Sequence, residues 1–453
     1  NLKNVNIVLL ALPSISRNSR KKIIEKLNSH KLIVKTLPRV QDVVDGKVSV
    51  SDIRDLDIAD LLSRDEVLPN NDLLNKNISS KVVLVTGAGG SIGSELCHQI
   101  VKHNPKKLLL IELNEFALYK IFEEIKNLNS RTEIIPLICN VQDKSRINQI
   151  FKTFNVETVY HAAAYKHVPL VEENICEGVL NNVFGTFVVA QAVIDQRVSN
   201  FVLISSDKAV RPTNIMGATK RLAELCVQGL YENEKNKFSK FSIVRFGNVL
   251  QSSGSVIPKF KKQIQEGGPV TLTDPEVTRY FMTTKEAAEL VIQAGAMSQN
   301  CEVFVLDMGK SVKIKELIYQ MIINSGLTIK DIDNPEGDIE IKVIGLRPGE
   351  KLYEELLIGD NPKKTNHEKI KKAQDTFIPF NELKIDLDTL KDLLQVNKAV
   401  EIKNMLKKLV HTYKSETKIV DHLYVEQLPF KKEKKSSTIV EREGNKIIKI
   451  NTK

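Results

Sequence analysis

The chain contains no tryptophan, and its five cysteines (Cys97, Cys139, Cys176, Cys226, Cys301) are far apart with no CxxC pair among them. An odd set of scattered thiols offers neither a disulfide framework nor zinc-ligand spacing, and it suits a reducing compartment. Long apolar runs are missing too. The longest near the N-terminus, Ile7 to Leu12, is closed by Pro13, whereas a membrane span needs ~20 apolar residues. No bilayer-crossing segment and no signal peptide are therefore expected within it. No repeat of fixed period is present. A GxGxxG dinucleotide signature is also absent.

What is present fits a globular protein. The 453 residues are 42% hydrophobic and 27% charged, enough chain for two or three domains of ~100–200 residues each. The net charge is +10, but residues 429–453 hold eight Lys or Arg against three Glu, which is half of that excess. The body is close to balanced, so the charge reads as a solvated basic tail, and no nucleic-acid partner is expected.

The chain divides into four parts. Residues 1–79 read as a small α/β unit with a linker at Pro69–Asp72. Residues 80–253 carry short Val/Ile/Leu-rich runs at Val82–Val85, Lys107–Ile111, Ile134–Ile138, Thr158–Tyr160, Phe201–Ser205 and Phe241–Arg245. Helix-length amphipathic stretches separate the early runs. Near-continuous apolar strands alternating with helices predict an α/β fold, a doubly wound parallel sheet covered on both faces. Residues 254–380 break that rhythm with turn signals such as Gly267-Gly268-Pro269 and Arg347-Pro348-Gly349, and predict mainly a smaller substrate lobe. Residues 381–453 predict a helical segment, Leu387 to Tyr413, followed by the tail.

The strongest local signal is Thr86-Gly87-Ala-Gly-Gly90-Ser91-Ile92-Gly93, a strand end, a glycine turn and a helix start. Glycines there permit close backbone approach, and the helix N-terminus accepts a pyrophosphate. Glu112, nineteen residues beyond Gly93 at the next strand end, accepts from ribose hydroxyls and repels a 2′-phosphate. NAD is thus expected in preference to NADP. The plain alternative is a solvent-facing glutamate. After the fourth strand, Ala162-Ala163-Ala164 lets the backbone pass close to a flat cofactor. His161 and His167 lack a third ligand at suitable spacing and read as structural, so no metal is expected. Lys166 is either a phosphate-holding cation or an exposed lysine. At the fifth strand end, Ser206-Asp207-Lys208 brings together a hydroxyl, a carboxylate and an ammonium. Met216 and Lys220 are four apart in a helical stretch and face the same way.

Taken together, Thr-Gly-x-x-Gly-x-x-Gly, the alanine run and the lysine helix resemble the extended short-chain dehydrogenase/reductase superfamily. Ser206-Asp207-Lys208-Ala-Val-Arg-Pro-Thr-Asn214 resembles its nucleotide-sugar 4,6-dehydratases. Arg245-Phe-Gly-Asn248, Gly267–Asp274 with Thr278–Met282, and Gly345-Leu-Arg347-Pro-Gly-Glu350-Lys351 are similar to the UDP-N-acetylglucosamine branch. A weaker likeness, at Leu10–Ser14 and Asp60–Arg64, is to the soluble unit of the large, membrane-anchored members. The resemblance implies NAD on Gly87, Gly90, Ser91, Ile92, Gly93, Glu112, Asn140, Val141, Ala162, Ala163, Ala164 and Lys220. It implies the sugar nucleotide on Lys166, Asn248, Val256, Thr271, Arg279, Arg347 and Glu350.

The implied reaction is an internal redox loss of water from UDP-N-acetylglucosamine, giving a 4-keto-6-deoxy sugar for surface glycans. Ser206 would bond the 4-oxygen, and Lys208, if neutral through desolvation, would take the C5 proton. A protonated Asp207 would give its proton to the departing 6-hydroxyl. Arg279 and Arg347 would clamp the diphosphate. Two departures stand out. Met216 occupies the place of the usual catalytic tyrosine and cannot take a proton, which leaves Asp207 as the first base. Asn140 stands where relatives more often have Asp. The competing expectations are a UDP-N-acetylhexosamine C4-epimerase, which needs the tyrosine, and a non-catalytic NAD-binding regulator, which needs no acid/base set. The likeness also implies a homo-oligomer on the cytoplasmic side, anchored in the inner membrane by a segment absent from this chain. The start at Asn1 rather than Met agrees with that expectation.

Overall fold

The computed structural model describes residues 68–427 except 129–130, 235–236, 251, 253, 357–361 and 416–417, and also residues 7–10, 12, 17–28, 33–36, 54–55, 442–443 and 446–447. Most of the expected basic tail, and the resembling segments Leu10–Ser14 (in large part) and Asp60–Arg64, lie outside the described residues.

Strands rich in Val, Ile and Leu can be buried on both faces only if helices cover both sides of their sheet. The central sheet follows that rule. Its strands are β1 (Val82–Thr86), β2 (Lys107–Glu112), β3 (Glu133–Ile138), β4 (Thr158–His161), β5 (Asn200–Ile204), β6 (Lys240–Arg245), β7 (Cys301–Leu306), β8 (Lys363–Lys364) and β9 (Ile370–Ala373). Their spatial order is 8-9-7-6-5-4-1-2-3. The seven strands from β7 to β3 pair in parallel, while β9 runs antiparallel to β7 and β8 antiparallel to β9. Every residue of β1, β4 and β5 is buried, whereas the edge strand β3 is largely exposed or half-buried. The strand order reverses between β1 and β4, and that opens a crevice at their carboxyl ends, where ligands bind in open α/β sheets.

Helices α1 (Ser91–Val101), α2 (Glu115–Lys126), α3 (Lys144–Phe154), α4 (Thr186–Asp195), α5 (Ile215–Asn233) and α6 (Thr284–Met297) flank the sheet. Two apolar layers result. One joins Leu96 and Ile100 of α1 with Val291 and Ala294 of α6, and the other joins Val189 and Val193 of α4 with Ile147 and Phe151 of α3. Full burial of each of the Leu, Ile, Val and Phe side chains among these contributes about 1.5–3 kcal/mol. The helical run Ile175–Asp195, among the described residues, is long and apolar enough to cross a membrane, but 61% of its most apolar window is buried inside the protein.

The span 254–380 is interleaved with the sheet rather than set apart. It returns α6, β7, β8 and β9 to the central layers, so the sheet has nine strands among the described residues where the sequence marked six. Only part of that span forms a separate lobe. Helices Val256–Gln265 and Ile314–Asn324 pack with strands Val270–Leu272 and Ile339–Val343 around Ile257, Phe260, Ile318 and Ile339. Helices Phe380–Gln395 and Ala399–Leu409 dock through Leu383, Leu390, Ile402 and Leu406 near Leu222 and Cys226 of α5.

Two N-terminal expectations come out differently. Strands Ile7–Leu10 and Ile33–Thr36 pair in parallel with helix Arg17–Asn28 between them, as a small α/β unit requires. The segment read as a linker is instead a helix start. The Asn70 side chain accepts from the Asp72 and Leu73 N–H groups and caps Asn71–Lys76, and the Asn70 N–H donates to Gln293 on α6.

Candidate active site

The glycine loop between β1 and α1 is shaped by contacts that leave no room for side chains. Gly87 has φ +64°, and a Cβ there would lie 2.7 Å from the Ala163 nitrogen. A Cβ on Gly93 would collide with the Gly87 carbonyl oxygen. Gly90 precedes α1 and supplies no side-chain cap. A backbone cradle at a helix N-terminus suits a phosphate group, so these residues fit a dinucleotide. Glu112 sits at the tip of β2, where its Oε2 accepts from the Gly89 N–H at 3.1 Å and its Oε1 from the Leu113 and Asn114 N–H groups. Asn140 accepts from the Gln142 N–H at 2.9 Å, and Val141 beside it is buried.

Behind the loop, His161 is buried with Nδ1 2.7 Å from Thr86 Oγ1 and Nε2 3.0 Å from Thr186 Oγ1. The Thr186 hydroxyl donates to the Asn182 carbonyl, so it accepts from the ring. That fixes the proton on Nε2. Burial and the nearby Lys220 push the His161 pKa down to about 3, so the ring is neutral and braces the loop. Asn182, on the π-helical turn Leu180–Gly185, accepts from the Tyr165 N–H at 2.7 Å and donates to the Tyr165 carbonyl and Thr219 Oγ1. It thereby ties the alanine segment to α5. Lys166 is exposed on the cleft lining, where partial desolvation lowers its pKa.

At the tip of β5 the chain turns through Asp207–Ala209. Ser206 caps that turn and donates to Asp207 Oδ1 at 2.8 Å. Lys208 Nζ donates to the same oxygen at 3.1 Å and to Asn248 Oδ1 at 3.4 Å. Asp207 is 1% exposed, and its second oxygen, Oδ2, is buried without a hydrogen-bond partner. The turn lies against α5 because Gly217 has no Cβ to strike the Lys208 carbonyl oxygen. On α5, Met216 is buried at the cleft and Lys220, one turn on, donates to the Ile204 carbonyl at 2.7 Å. Burial brings the Lys220 pKa down to about 8, partly opposed by Glu224.

The opposite wall is a chain of ion pairs. Arg279 donates to Glu350 Oε1 at 2.9 Å, and its Nε lies 3.9 Å from Glu354. Glu354 in turn lies 3.5 Å from Lys208 Nζ. Arg279 is therefore occupied by carboxylates rather than turned open, and Glu350 also receives Thr273 Oγ1 and the Arg347 N–H. Burial pulls the Lys208 pKa down, but Asp207 and Glu354 outweigh it and hold the ammonium above the ordinary lysine value. The expected neutral amine is thus not the resting state of this arrangement. Arg347 is exposed at the cleft, with Lys259 close enough to feel its charge. Val256 opens its helix without a side-chain cap, and the preceding Ser255 has a buried, unpartnered Oγ. Thr271 is engaged with Gln263 at 3.1 Å.

One cleft of about 890 Å³ gathers Gly90–Gly93, Ala162, Ala164, Lys166, Ser206, Lys208, Met216, Lys220, Asn248, Val256, Thr271, Arg279, Arg347 and Glu350. Gly87, Glu112, Asn140, Val141, Ala163 and Asp207 do not line it. Asp207 stands directly behind Lys208. Glu354, Lys259, Ser255 and Asn182 carry no motif of their own, and sequence reading passed over them. The two acids Glu354 and Glu355, just beyond Glu350, were the faint signal available.

Seven parallel strands with a switch-point crevice, a glycine cradle and a lysine helix define an extended short-chain dehydrogenase/reductase fold of the Rossmann type. Residues 83–375 match the family described as "Polysaccharide biosynthesis protein", and the chain belongs to it. It is 48% identical over 351 residues to the capsular polysaccharide biosynthesis protein CapD of Staphylococcus aureus, covering 77% of this chain and 57% of that protein. The chain thus spans little more than half the length of that relative. It is 31% identical to an inverting UDP-N-acetylglucosamine 4,6-dehydratase of Campylobacter jejuni, over 62% of this chain and 79% of that one. The solved structure of Pen from Bacillus thuringiensis is 34% identical, with TM-score 0.55 over 62% of this chain and 84% of that chain. The relatives carry both dehydratase and epimerase names, and the family is one of nucleotide-sugar dehydratases and epimerases.

Proposed function

We propose that this chain is the catalytic part of an NAD-dependent UDP-N-acetylglucosamine 4,6-dehydratase acting in surface polysaccharide synthesis. One observation carries the reading. A buried carboxylate with an unpartnered oxygen and a lysine stand together at a strand tip, beside the helix that carries a thioether where an epimerase needs a tyrosine. Elimination needs an acid and a base side by side, and epimerisation does not.

A bound nicotinamide would supply the hydride acceptor and donor. The glycine loop would seat its pyrophosphate, Glu112 its adenosine ribose (favouring NAD), and Lys220 its other ribose. Ser206 would hold the sugar 4-oxygen. Asp207, which stands behind the cleft lining, takes the 4-hydroxyl proton through the Ser206 hydroxyl that donates to its Oδ1, since Met216 cannot, and later gives it by the same route to the departing 6-hydroxyl. Lys208, once deprotonated, takes the C5 proton and later returns one to C5. Protons balance over the cycle. Arg347, Lys259 and the uncapped helix at Ser255–Val256 would receive the diphosphate, with Arg279 orienting Glu350 toward the uridine ribose. The proposal extends to an assembled, membrane-attached whole protein working on the cytoplasmic side, and a relative from Methanocaldococcus jannaschii that is 48% identical over 280 residues is described as an uncharacterized membrane protein.

The test is to incubate the NAD-loaded chain with UDP-N-acetylglucosamine in deuterated water and read the product by NMR. A UDP-4-keto-6-deoxy sugar carrying deuterium at C5 is expected, and its coupling constants give the C5 configuration. A C4-epimerised sugar would replace this reading with the epimerase, and an unchanged sugar with cofactor bound would leave a regulator.

A further inference from the structure

Lys208 is surrounded by more negative charge than one ammonium can satisfy. Its Nζ faces Asp207 Oδ1 at 3.1 Å, Asn248 Oδ1 at 3.4 Å and Glu354 Oε1 at 3.5 Å. Glu354 comes from a distant segment and is almost wholly buried, with 4% side-chain exposure. Among the described residues, the other charged neighbour at the same oxygen is Arg279, whose Nε is 3.9 Å away and whose Nη2 is already bonded to Glu350. Glu354 Oε2 is buried without a partner, as is Asp207 Oδ2. In this group three carboxylates (Asp207, Glu350, Glu354) face two cations (Lys208, Arg279), and the two orphan oxygens belong to the two carboxylates that pair with Lys208. Buried carboxylate oxygens without donors are costly, so Glu354 has an oxygen with room for one more proton. Glu354 Oε1 lies near hydrogen-bond reach of the amine that must lose one.

We propose that Glu354 is the positioning residue that receives the Lys208 proton, leaving the amine beside Asp207 free to act on the substrate. One N–H bond of the ammonium breaks and one O–H bond forms on Glu354, so that an ion pair becomes an amine and a carboxylic acid. At the end of the cycle the proton returns to Lys208. The idea rests on the dehydratase reading, and it explains how a lysine held charged at rest serves as a base.

The experiment uses the full chain loaded with NAD, as wild type, Glu354→Gln and Glu354→Asp. Competitive acetylation followed by mass spectrometry reads the titration midpoint of Lys208 without turnover. The midpoint is expected to fall by about one unit or more in Glu354→Gln and to stay near wild type in Glu354→Asp. In deuterated water with UDP-N-acetylglucosamine, Glu354→Gln should lose C5 exchange at neutral pH at least tenfold, on the order of one kinetic decade. That rate should climb about tenfold per pH unit as solvent takes over as proton acceptor, while wild type stays nearly flat. An unmoved Lys208 midpoint overturns the proposal, as does a loss of exchange that is the same at every pH, since a structural defect would give that. A wild-type chain that binds the sugar nucleotide but yields no product refutes the dehydratase reading alone, because the midpoint is read separately.

Discussion

The two walls of the cleft are built by different means. On the glycine-loop side, fit is set by backbone against backbone: Gly87 on the Ala162–Ala163 segment, Gly93 on the Gly87 carbonyl, and a neutral His161 wedged between two threonines. On the side of Lys208 and α5, fit is set by charge. Behind the cleft lining, Arg245 and Arg221 close on Glu224 and both reach Asp375, while at the cleft itself Arg279 joins Glu350 to Glu354. A packed wall tolerates no added atom, whereas a charged wall tolerates no lost partner. The first suits a flat, largely invariant cofactor, and the second suits a substrate whose protons must move.

The largest expected effect breaks the charged wall. Glu224 accepts from Ser205 Oγ at 2.6 Å, Arg245 Nε at 2.8 Å and Arg221 Nη1 at 2.8 Å, and both Glu224 and Arg245 are fully buried. Burial would raise its pKa, but the two guanidiniums and the Ser205 hydroxyl hold it down at about 2. Glu224→Gln leaves Asp375 as the one carboxylate, among the described residues, paired with both Arg245 and Arg221, and removing one partner of a buried pair costs about 3–5 kcal/mol. Urea denaturation should show that loss. In the wild-type chain the carboxylate's contribution is complete above its unfolded value near 4.5 and disappears as pH falls toward about 2.

The packed wall is broken by adding one methyl group. Gly93→Ala drives a Cβ into the Gly87 carbonyl oxygen, and overpacking of this kind costs about 1–3 kcal/mol. Because the strain falls on the loop itself, NAD affinity should drop by at least about tenfold in calorimetry, as 1.4 kcal/mol is one decade. Ala88→Gly, a few ångströms away, should leave affinity within about threefold and serves as the control.

This contrast also governs what could be read in advance. The packed wall is local in sequence. A glycine turn, a strand and a helix start lie within a dozen residues, so Gly87, Gly90, Gly93 and the six early strands were legible. The sheet's continuation was only half so. Cys301–Leu306 is an apolar run like the others, but β9 (Ile370–Ala373) is a short antiparallel strand with two lysines that carries no such pattern. The charged wall joins segments far apart in the chain. Nothing near Glu354 announces Lys208, and nothing near Asp375 announces Arg245. Arg279 was legible as a cation, but its engagement by Glu350 was not. Lys208 shows the same limit, since its charge depends on a carboxylate that only folding brings near.

A smaller effect sharpens the comparison where the walls meet. Burial lowers the Lys220 pKa to about 8 in the folded chain, against 10.5 as a free side chain. Between those values the unfolded chain binds more protons, so stability rises with pH by up to about 1.4 kcal/mol per unit. The burden of the buried ammonium is full below about 8 and gone above about 10.5. Lys220→Met should remove that slope, read as the difference between the two proteins in denaturation midpoints across the window. An equal slope in both would mean that Lys220 titrates as if exposed.

The smallest effect concerns the exposed rim. Arg347 holds its turn through the backbone, its carbonyl accepting from the Glu350 N–H at 2.9 Å and its own N–H donating to Glu350 Oε2 at 3.2 Å. The guanidinium is left to the cleft beside Lys259. Arg347→Gln keeps the turn and removes one charge. It should raise KM for the sugar nucleotide about three- to tenfold with kcat unchanged, the range of one charge-assisted contact weakened by solvent. Added salt should shrink the gap between the two proteins, because an exposed cation is screened over about 8–10 Å. The same test on Arg279→Gln should lower kcat as well, since that side chain carries Glu350 and abuts Glu354. If the two variants behave alike, the rim and the ion-paired interior form one binding surface, and the division between a wall that holds substrate and one that handles its protons fails.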